Sequence, residues 1–341
     1  MDKEIRQRLL SLESRDHTEQ WFNRLHGREL SARRAREINA ASRQAREYFR
    51  NAGSSDYSVR PLLTFYGVSS LSRALTLLFK SQGGEEGLTS GHGLQTVSWG
   101  NVLSGATSSG LKSLSDLKVE ICGGLFLDLL EKTDNETTIH IRSSGVDWSL
   151  PYETPENGDE ISLGDLFSRI PSLRQNYGDK SHNPSYASVS EVTYSQDDGF
   201  YAKVKQEEFS RFKSEYTDRG YDIECDDEWC EVSCKHEVFS DNLPFLLNNY
   251  LNKTFGSIPG LYIVSPLPCG KNFSQLGALY IISFFLGMLV RYYPTHWMSL
   301  IQGSKGDELW PTINKSQTLL EEYYPELVTE LIHYSLDKSS D

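Results

Sequence analysis

The chain has 341 residues and a mass of 38.7 kDa, more than a single hydrophobic core usually serves. Hydrophobic residues make up 38% and charged residues 24% of it, a composition typical of folded rather than disordered proteins. Its 34 lysines and arginines against 47 aspartates and glutamates leave a net charge of −13. This balance argues against an electrostatic grip of the whole protein on nucleic acid or on an anionic membrane, while a local basic patch stays open.

The sequence favours a cytoplasmic protein that does not span a membrane. Met1–Leu10 is charged where the apolar core of a secretory signal would begin. Five cysteines are an odd number for a disulfide scaffold and favour reduced thiols. The most apolar stretch, Leu276–Val290, lacks charge but is shorter than the ~20 residues that a span needs. It is therefore predicted to be a buried helix.

Charge is unevenly distributed along the chain. Residues 1–50 carry 12 basic and 8 acidic side chains, a net of +4, whereas residues 151–240 carry 9 and 20, a net of −11. Ser31–Arg50 lacks glycine and proline and repeats apolar residues at spacings of three and four, which predicts an amphipathic helix with a basic outer face. A second apolar helix is predicted to begin at Pro61 and to pair with the first as a hairpin.

Beyond the hairpin, the glycine-rich loop Ser81–His92 interrupts the helical pattern. Short β-branched runs begin at residue 119 and predict strands around a few helices. The predicted strands are Val119–Leu130, Thr137–Ile141, Val189–Ser195, Phe200–Gln206, Tyr221–Cys225 and Trp229–Val238, and the helices are Ile161–Ile170 and Glu207–Gly220. Further helices are predicted at Leu243–Leu251, Ser274–Tyr293, Lys315–Glu322 and Pro325–Tyr334.

These elements predict an α+β fold that is predominantly α-helical: a helical bundle built from both chain ends with a small mixed α/β insertion. The predicted regions are an N-terminal helical region over 1–118, an α+β insertion over 119–240, and a C-terminal helical region over 241–341 that packs with the first. No phosphate loop or dinucleotide fingerprint occurs, and no cofactor is predicted.

The most distinctive local feature follows the apolar helix. Arg291 and His296 have the Arg-x4-His spacing of RNA-cleaving HEPN domains, in which arginine would stabilise phosphate charge and histidine would transfer a proton. Pro294 is predicted to end the helix between them, because proline cannot donate an intrahelical hydrogen bond. The structural alternative is a helix terminus, with Arg291 near the last carbonyls and Trp297 packed in the core.

A second candidate is a cysteine cluster. Cys225, Cys230, Cys234 and His236 provide enough soft ligands for zinc but lack a C-x2-C knuckle. The alternative is a strand from Trp229 to Val238 with ordinary half-buried cysteines on one face.

Most candidate binding residues lie in the N-terminal helical region, and one lies in the C-terminal helical region. His92 stands between two glycines, which allow the backbone to come close to a partner or to another helix, so the histidine could face a ligand. The alternative is a tight loop in which His92 caps a helix end. The basic helix could bind phosphates, with Tyr48 or Trp21 stacking on bases, or could be a solvated face paired with the acidic insertion. The candidate binding residues are His92, Arg43, Arg46, Arg50, Tyr66 and Trp297.

Several segments together resemble the YaaC-like family of bacterial proteins. They are AREINAASRQAREYF, RPLLTFYGVSSLSRALTLLF, GHGL and FFLGMLVRYYPTHW, which cover both helical regions. The resemblance implies a bacterial cytoplasmic protein with a helical core and implies little about chemistry. The helices are also similar in style to HEPN domains, which often belong to toxin or antiviral defence systems.

Two functions follow as hypotheses. The first is an accessory or effector subunit of a defence or stress system that acts by binding a partner protein. The second is a metal-independent RNA endonuclease of HEPN type centred on Arg291 and His296, with RNA held by His92 or by the basic helix. A zinc-bearing binding module ranks third, and homo-oligomerisation stays open.

Overall fold

The computed structural model is an α+β protein with 57% helix and 19% strand, which confirms the predicted fold class. The described residues are 7, 9–104, 112–140, 146, 148–177, 184–246, 248–250, 260–304 and 307–339. The chain divides into two compact units. The helical unit comprises Met1–Asn135, Glu153–Leu166 and Phe273–Asp341, and the sheet unit comprises Glu136–Tyr152 and Phe167–Asn272.

Helices dominate the described chain. In chain order they are α1 (Arg15–His26), α2 (Ala32–Ser54), α3 (Arg60–Phe79), α4 (Trp99–Ser104), α5 (Leu125–Lys132), α6 (Leu163–Phe167), α7 (Arg174–Tyr177), α8 (Gln206–Phe209), α9 (Lys213–Asp218), α10 (His236–Leu246), α11 (Gln275–Tyr292), α12 (Pro294–Ile301) and α13 (Trp310–Lys338). Short 3-10 helices lie at Ser11–Glu13, Glu85–Gly87, Lys112–Asp116, Pro171–Leu173 and Asp307–Leu309.

The strands form three sheets with antiparallel pairing throughout the described residues. They are β1 (His92–Val97), β2 (Lys118–Gly124), β3 (Glu136–Ile139), β4 (Trp148–Pro151), β5 (Glu160–Ser162), β6 (Tyr186–Ser195), β7 (Gly199–Lys205), β8 (Asp222–Cys225), β9 (Trp229–Cys234), β10 (Asn248–Tyr250) and β11 (Gly260–Val264). The helical unit holds the sheet β1-β2-β5, and the sheet unit holds β10-β11-β6-β7-β9-β8 and the hairpin β3-β4.

The boundaries of the two units differ from those of the three regions predicted from the sequence. Residues 119–135 and 153–166 belong to the helical unit rather than to an insertion. The reason is strand pairing, because β2 lies between β1 and β5 in the sheet of the helical unit. The sheet unit in turn continues past residue 240 to Asn272, since β11 pairs with β6.

The predicted helical hairpin is confirmed as α2 and α3. The Ser31 hydroxyl accepts a hydrogen bond from the Arg34 amide at the start of α2. The Arg34 guanidinium then donates to the carbonyl oxygens of Leu77, Lys80 and Ser81, at 2.9, 2.5 and 3.2 Å, and so caps the end of α3. The apolar stripe predicted for α2 is buried, namely Ala35, Ile38, Ala41, Ala45 and Phe49.

Helix α11 is the buried helix that the sequence predicts, since every residue from Gln275 to Val290 is buried. It packs closely on α3, where a Cβ atom added at Gly287 would lie 2.8 Å from Phe65 Cβ. By length and composition, α3 and α11 are the two helices among the described residues that could cross a membrane. Their apolar windows are 67% and 89% buried, as in core helices of folded proteins, so this observation is weak evidence for a span.

Helix α13 differs from the prediction of two helices, Lys315–Glu322 and Pro325–Tyr334. Pro325 lies inside one continuous helix, although an internal proline costs about 3 kcal/mol. Burial on both sides of the proline offsets this cost, because Leu320, Tyr324 and Val328 are all inaccessible to solvent. Tertiary packing therefore overrides the local signal.

The predicted strand Val119–Leu130 is wrong in its second half. The strand ends at Gly124, whose φ of 154° is accessible chiefly to glycine, and α5 begins at Leu125. Leu125, Phe126, Leu129 and Leu130 are buried at helical spacing. The apolar run is therefore one face of a helix.

Three other predicted elements change at their boundaries. The predicted helix Ile161–Ile170 splits into β5 and α6, and Glu207–Gly220 splits into α8 and α9. The predicted strand Trp229–Val238 ends at Cys234, before α10.

Replacement of Gly287 by alanine tests the close packing of α3 and α11. We expect Gly287→Ala to lower the free energy of unfolding by about 1–3 kcal/mol, because the new methyl group overpacks against Phe65. Gly53→Ala is the matched control, since a Cβ at this exposed position of α2 meets nothing within 4 Å and alanine favours helix. Urea denaturation followed by circular dichroism measures both, and equal stability of the two variants would contradict the packing.

Candidate functional site

A pair of glycines fixes the position of His92 at the start of β1. Gly91 and Gly93 have φ values of 95° and 84°, which glycine adopts without strain. A Cβ atom at Gly93 would lie 2.7 Å from the Phe126 amide nitrogen, and the Leu125 amide donates to Gly91 O at 3.1 Å. The loop backbone therefore lies directly against the start of α5, which is the close approach that this motif suggested.

The His92 imidazole is half-buried on an aromatic wall. Its ring meets the Phe65 ring edge-on at 4.9 Å and the Phe284 ring at 6.3 Å between centroids. The Tyr280 hydroxyl donates to the His92 carbonyl oxygen at 3.0 Å and so holds the backbone. Within the described residues, the imidazole nitrogens make no hydrogen bond, and this residue does not act as a helix cap.

Two arginines act electrostatically on His92. Burial lowers the pKa of the imidazole below its ordinary value, and the positive charges of Arg291 and Arg73 lower it further. Arg73 lies on α3 with Nη1 3.9 Å from a Glu85 carboxylate oxygen, and both side chains are nearly half exposed. Such an exposed pair is weak, so it leaves Arg73 available to an anion. All three effects favour the neutral form of the His92 imidazole.

Arg291 lies in the last turn of α11 and is exposed. Its Nη1 donates to the Tyr66 hydroxyl at 3.1 Å, and its guanidinium lies 5.1 Å from the centroid of the Tyr292 ring. The Tyr66 ring lies 5.4 Å from the Tyr48 ring. Tyr66, Arg73, His92 and Arg291, all in the helical unit, are called the arginine–histidine site below.

Among the described residues, no hydrogen bond or ring contact joins Arg291 and His296. As predicted, α11 ends before Pro294, which is the first residue of α12. His296 lies on α12, with its ring 6.4 Å from the Tyr293 ring. The imidazole on which the charge of Arg291 acts is that of His92.

Trp297 occupies the core position of the structural alternative. It is buried, its indole Nε1 donates to the Tyr57 carbonyl oxygen at 2.8 Å, and its ring packs on Trp310. These contacts tie α12 to the segment before α3 and leave no face of this indole for a ligand.

The arginines of the basic helix are paired within the helical unit. Arg46 Nε lies 2.6 Å and Arg43 Nε 3.5 Å from the buried carboxylate of Glu13, and Arg50 pairs with Glu47. The acids in these pairs, Glu13 and Glu47, belong to the same unit as the arginines. This partial neutralisation weakens the attraction of α2 for phosphates.

The four candidate zinc ligands do not converge. Cys225 and Cys230 form a disulfide between the ends of β8 and β9, so the expectation of reduced thiols is wrong for these two. Cys234 is buried in the sheet unit, where burial raises the pKa of its thiol to about 11. His236 begins α10 and its Nδ1 lies 2.5 Å from the Tyr194 hydroxyl. Among the described residues, no group of three or more potential ligands could hold a metal ion.

Sequence reasoning missed Arg73 and Tyr292. Arg73 had a usable signal, since it and Arg60 are the charged residues of an otherwise uncharged helix, and Arg60 is paired with Glu321. Tyr292 had none, because one tyrosine at a helix end is ordinary in sequence.

A family model described as YaaC-like Protein matches residues 7–332. The chain belongs to the YaaC-like protein family. The matched region contains the whole arginine–histidine site. No curated protein and no solved structure matches the chain.

A titration of His92 tests the electrostatics of the site. We expect its pKa to lie below 6.5 and to rise in Arg291→Gln, because the lost positive charge no longer disfavours the imidazolium. Arg15→Gln, which removes an exposed arginine paired with Glu19, is the control and leaves the pKa of His92 unchanged. Histidine NMR measures these pKa values, and His92→Gln assigns the His92 signal. An unchanged pKa of His92 in Arg291→Gln would show that the charge of Arg291 does not act on His92.

Cysteine labelling tests the disulfide. Under denaturing conditions without reductant, iodoacetamide is expected to label the three free cysteines, Cys122, Cys234 and Cys269, and to label five after reduction. Mass spectrometry counts the labels. In Cys225→Ser, the unreduced count rises to four because Cys230 loses its partner. Five labels on the unreduced protein would show that the pair is reduced.

Proposed function

We propose that this protein is an effector that cleaves RNA at the arginine–histidine site without a metal ion. One geometric observation carries the proposal: the half-buried His92 ring packs on Phe65, and the Tyr66 ring next to Phe65 holds Arg291 through its hydroxyl. Burial and the charges of Arg291 and Arg73 lower the pKa of His92, which favours the neutral imidazole. A neutral imidazole accepts a proton near pH 7, and guanidinium groups bind the phosphate oxygens on which charge develops.

The chemistry that suits these groups is attack by a ribose 2′-hydroxyl. His92 takes the proton of the 2′-hydroxyl, and the 2′-oxygen forms a bond to phosphorus while the bond from phosphorus to the 5′-oxygen breaks. The leaving oxygen takes a proton from solvent, and the imidazolium returns its proton to solvent. Arg291, held by the Tyr66 hydroxyl, and Arg73 bind the non-bridging oxygens. The products are a 2′,3′-cyclic phosphate and a 5′-hydroxyl.

The cellular setting that we propose is the bacterial cytoplasm, in a defence or stress system. This part rests on the similarity in style of the helices to HEPN domains, which often serve such systems. The net charge of −13 suits a local rather than a general attraction for RNA. Arginines that are free of strong ion pairs, such as Arg291, supply this local attraction, since those of α2 are largely paired.

A second candidate is an accessory subunit that acts by binding a partner protein. The observation that favours it is the net charge of −11 over residues 151–240, most of which lie in the sheet unit. The turn Asp226–Glu228 exposes three carboxylates together at the end of the β8-β9 hairpin. A basic partner surface would be complementary to this charge.

Cleavage of a single-stranded RNA by the purified protein tests the first proposal. With a chelator present, we expect wild type to produce 2′,3′-cyclic phosphate ends, and His92→Ala and Arg291→Gln to cleave at least about 100-fold more slowly. His296→Ala is the matched control, because this histidine lies one helix further on and is not part of the arginine–histidine site. Its rate is expected to stay within about twofold of wild type.

The same variants distinguish the two candidates in cells. Toxicity on expression that is lost in His92→Ala and kept in His296→Ala supports the nuclease. Co-purification of a neighbour-encoded protein that is unaffected by His92→Ala, with no cleavage of RNA by wild type, supports the accessory subunit and contradicts the nuclease.

A further inference from the structure

The Tyr292 side chain has an unusual exposure. It is 59% accessible to solvent, and the other large hydrophobic residues exposed in the described part of the chain are Leu10 and Val59, at 38% and 45%. Packing within the helical unit does not require such an exposed ring. Its guanidinium neighbour Arg291 belongs to the arginine–histidine site, which places this exposed aromatic ring beside a proposed phosphate contact.

The backbone that carries Tyr292 is held on both sides. The amide of Tyr293 donates to Leu289 O at 3.0 Å, and the Tyr293 ring packs against buried Trp99 at 6.0 Å. Pro294 then begins α12 with a fixed φ. The Tyr292 ring thus projects from a fixed backbone into solvent, as a preorganised stacking surface does.

The other side-chain partner of Arg291, Tyr66, forms a pair of aromatic rings with Tyr48. The Tyr66 hydroxyl accepts from Arg291, and the Tyr66 ring lies 5.4 Å from the half-buried Tyr48 ring with 34° between their planes. Arg291 therefore contacts tyrosines of two elements, α3 and α11. Alternating guanidinium and aromatic groups are typical of surfaces that bind single-stranded nucleic acid, where bases stack and phosphates pair with arginine.

We propose that the Tyr292 ring stacks on an unpaired nucleobase next to the phosphate held by Arg291, so that the substrate is single-stranded RNA. This inference rests on the proposed binding of RNA at the arginine–histidine site. A base in a duplex is covered on both faces by its neighbours, whereas an unpaired base offers a free face to Tyr292. Stacking tolerates any base, so the site selects for single strands and not for a sequence.

Binding of a non-cleavable RNA tests the stacking. The probe is a 12-nucleotide 2′-O-methyl RNA, which lacks the attacking hydroxyl, prepared as a series with 2-aminopurine or an abasic residue at each position in turn. In wild type, 2-aminopurine fluorescence falls at one position on binding, because stacking quenches it. An abasic residue at that position weakens binding by roughly tenfold or more.

Substitutions assign the quenching to Tyr292. Tyr292→Phe keeps the ring and is expected to keep both affinity and quenching, whereas Tyr292→Ala loses the quenching and binds roughly tenfold or more weakly. For the abasic probe, Tyr292→Ala and wild type bind equally. Leu10→Ala, which removes another exposed hydrophobic side chain, is the control and leaves binding unchanged. A duplex of the same sequence binds more weakly than the single strand.

The outcomes separate this inference from the proposed function. If Arg291→Gln weakens every probe but Tyr292→Ala weakens none, RNA binding stands and the stacking site is overturned. If wild type binds no probe, both are overturned. If wild type binds no RNA and Tyr292→Ala instead releases a co-purifying protein, Tyr292 is part of a protein interface, which also overturns the inference.

Discussion

The close contact of α3 and α11 determines the geometry of the helical unit. At Gly287 the absence of a side chain lets the two helices approach until Phe65 fills the gap. The same Phe65 ring meets the His92 imidazole edge-on. One buried aromatic side chain thus sets both the separation of the two helices and the wall behind His92. The last turn of α11 then places Arg291 within hydrogen-bond distance of Tyr66.

The arginine–histidine site lies where the apolar core meets solvent. This position suits both a half-buried imidazole and exposed guanidinium groups. Partial burial against Phe65 and Phe284 favours the neutral form of the His92 imidazole, whereas guanidinium groups require water or an anion. Arg291 meets this requirement at the exposed end of an otherwise buried helix. Gly93 is needed because a side chain there would clash with Phe126 of α5, and both Gly91 and Gly93 have a positive φ that glycine adopts without strain.

Much of the fold could be predicted from the sequence, because long helices have a strong periodic signal. The α2–α3 hairpin and buried α11 follow from apolar spacing, while the failures are local. Pro325 does not end α13, since burial outweighs the lost hydrogen bond, and α5 looks like a strand because its apolar run is short. Arg291, Tyr66 and His92 could each be selected as unusual residues. Their association in one site could not be predicted, since it depends on how the helices pack. The short Arg-x4-His spacing pointed to His296 as the partner of Arg291 instead.

The anchoring of α12 has a consequence for how the molecule responds to a ligand. Trp297 fastens the helix that follows Pro294 to the carbonyl of Tyr57, just ahead of α3. The Trp297 indole therefore connects the helix that follows α11, which carries Arg291, to the start of α3, which carries Tyr66. Displacing α12 would require withdrawal of this buried ring from its contact with Trp310. We therefore expect little rearrangement of the backbone if a ligand binds at this corner.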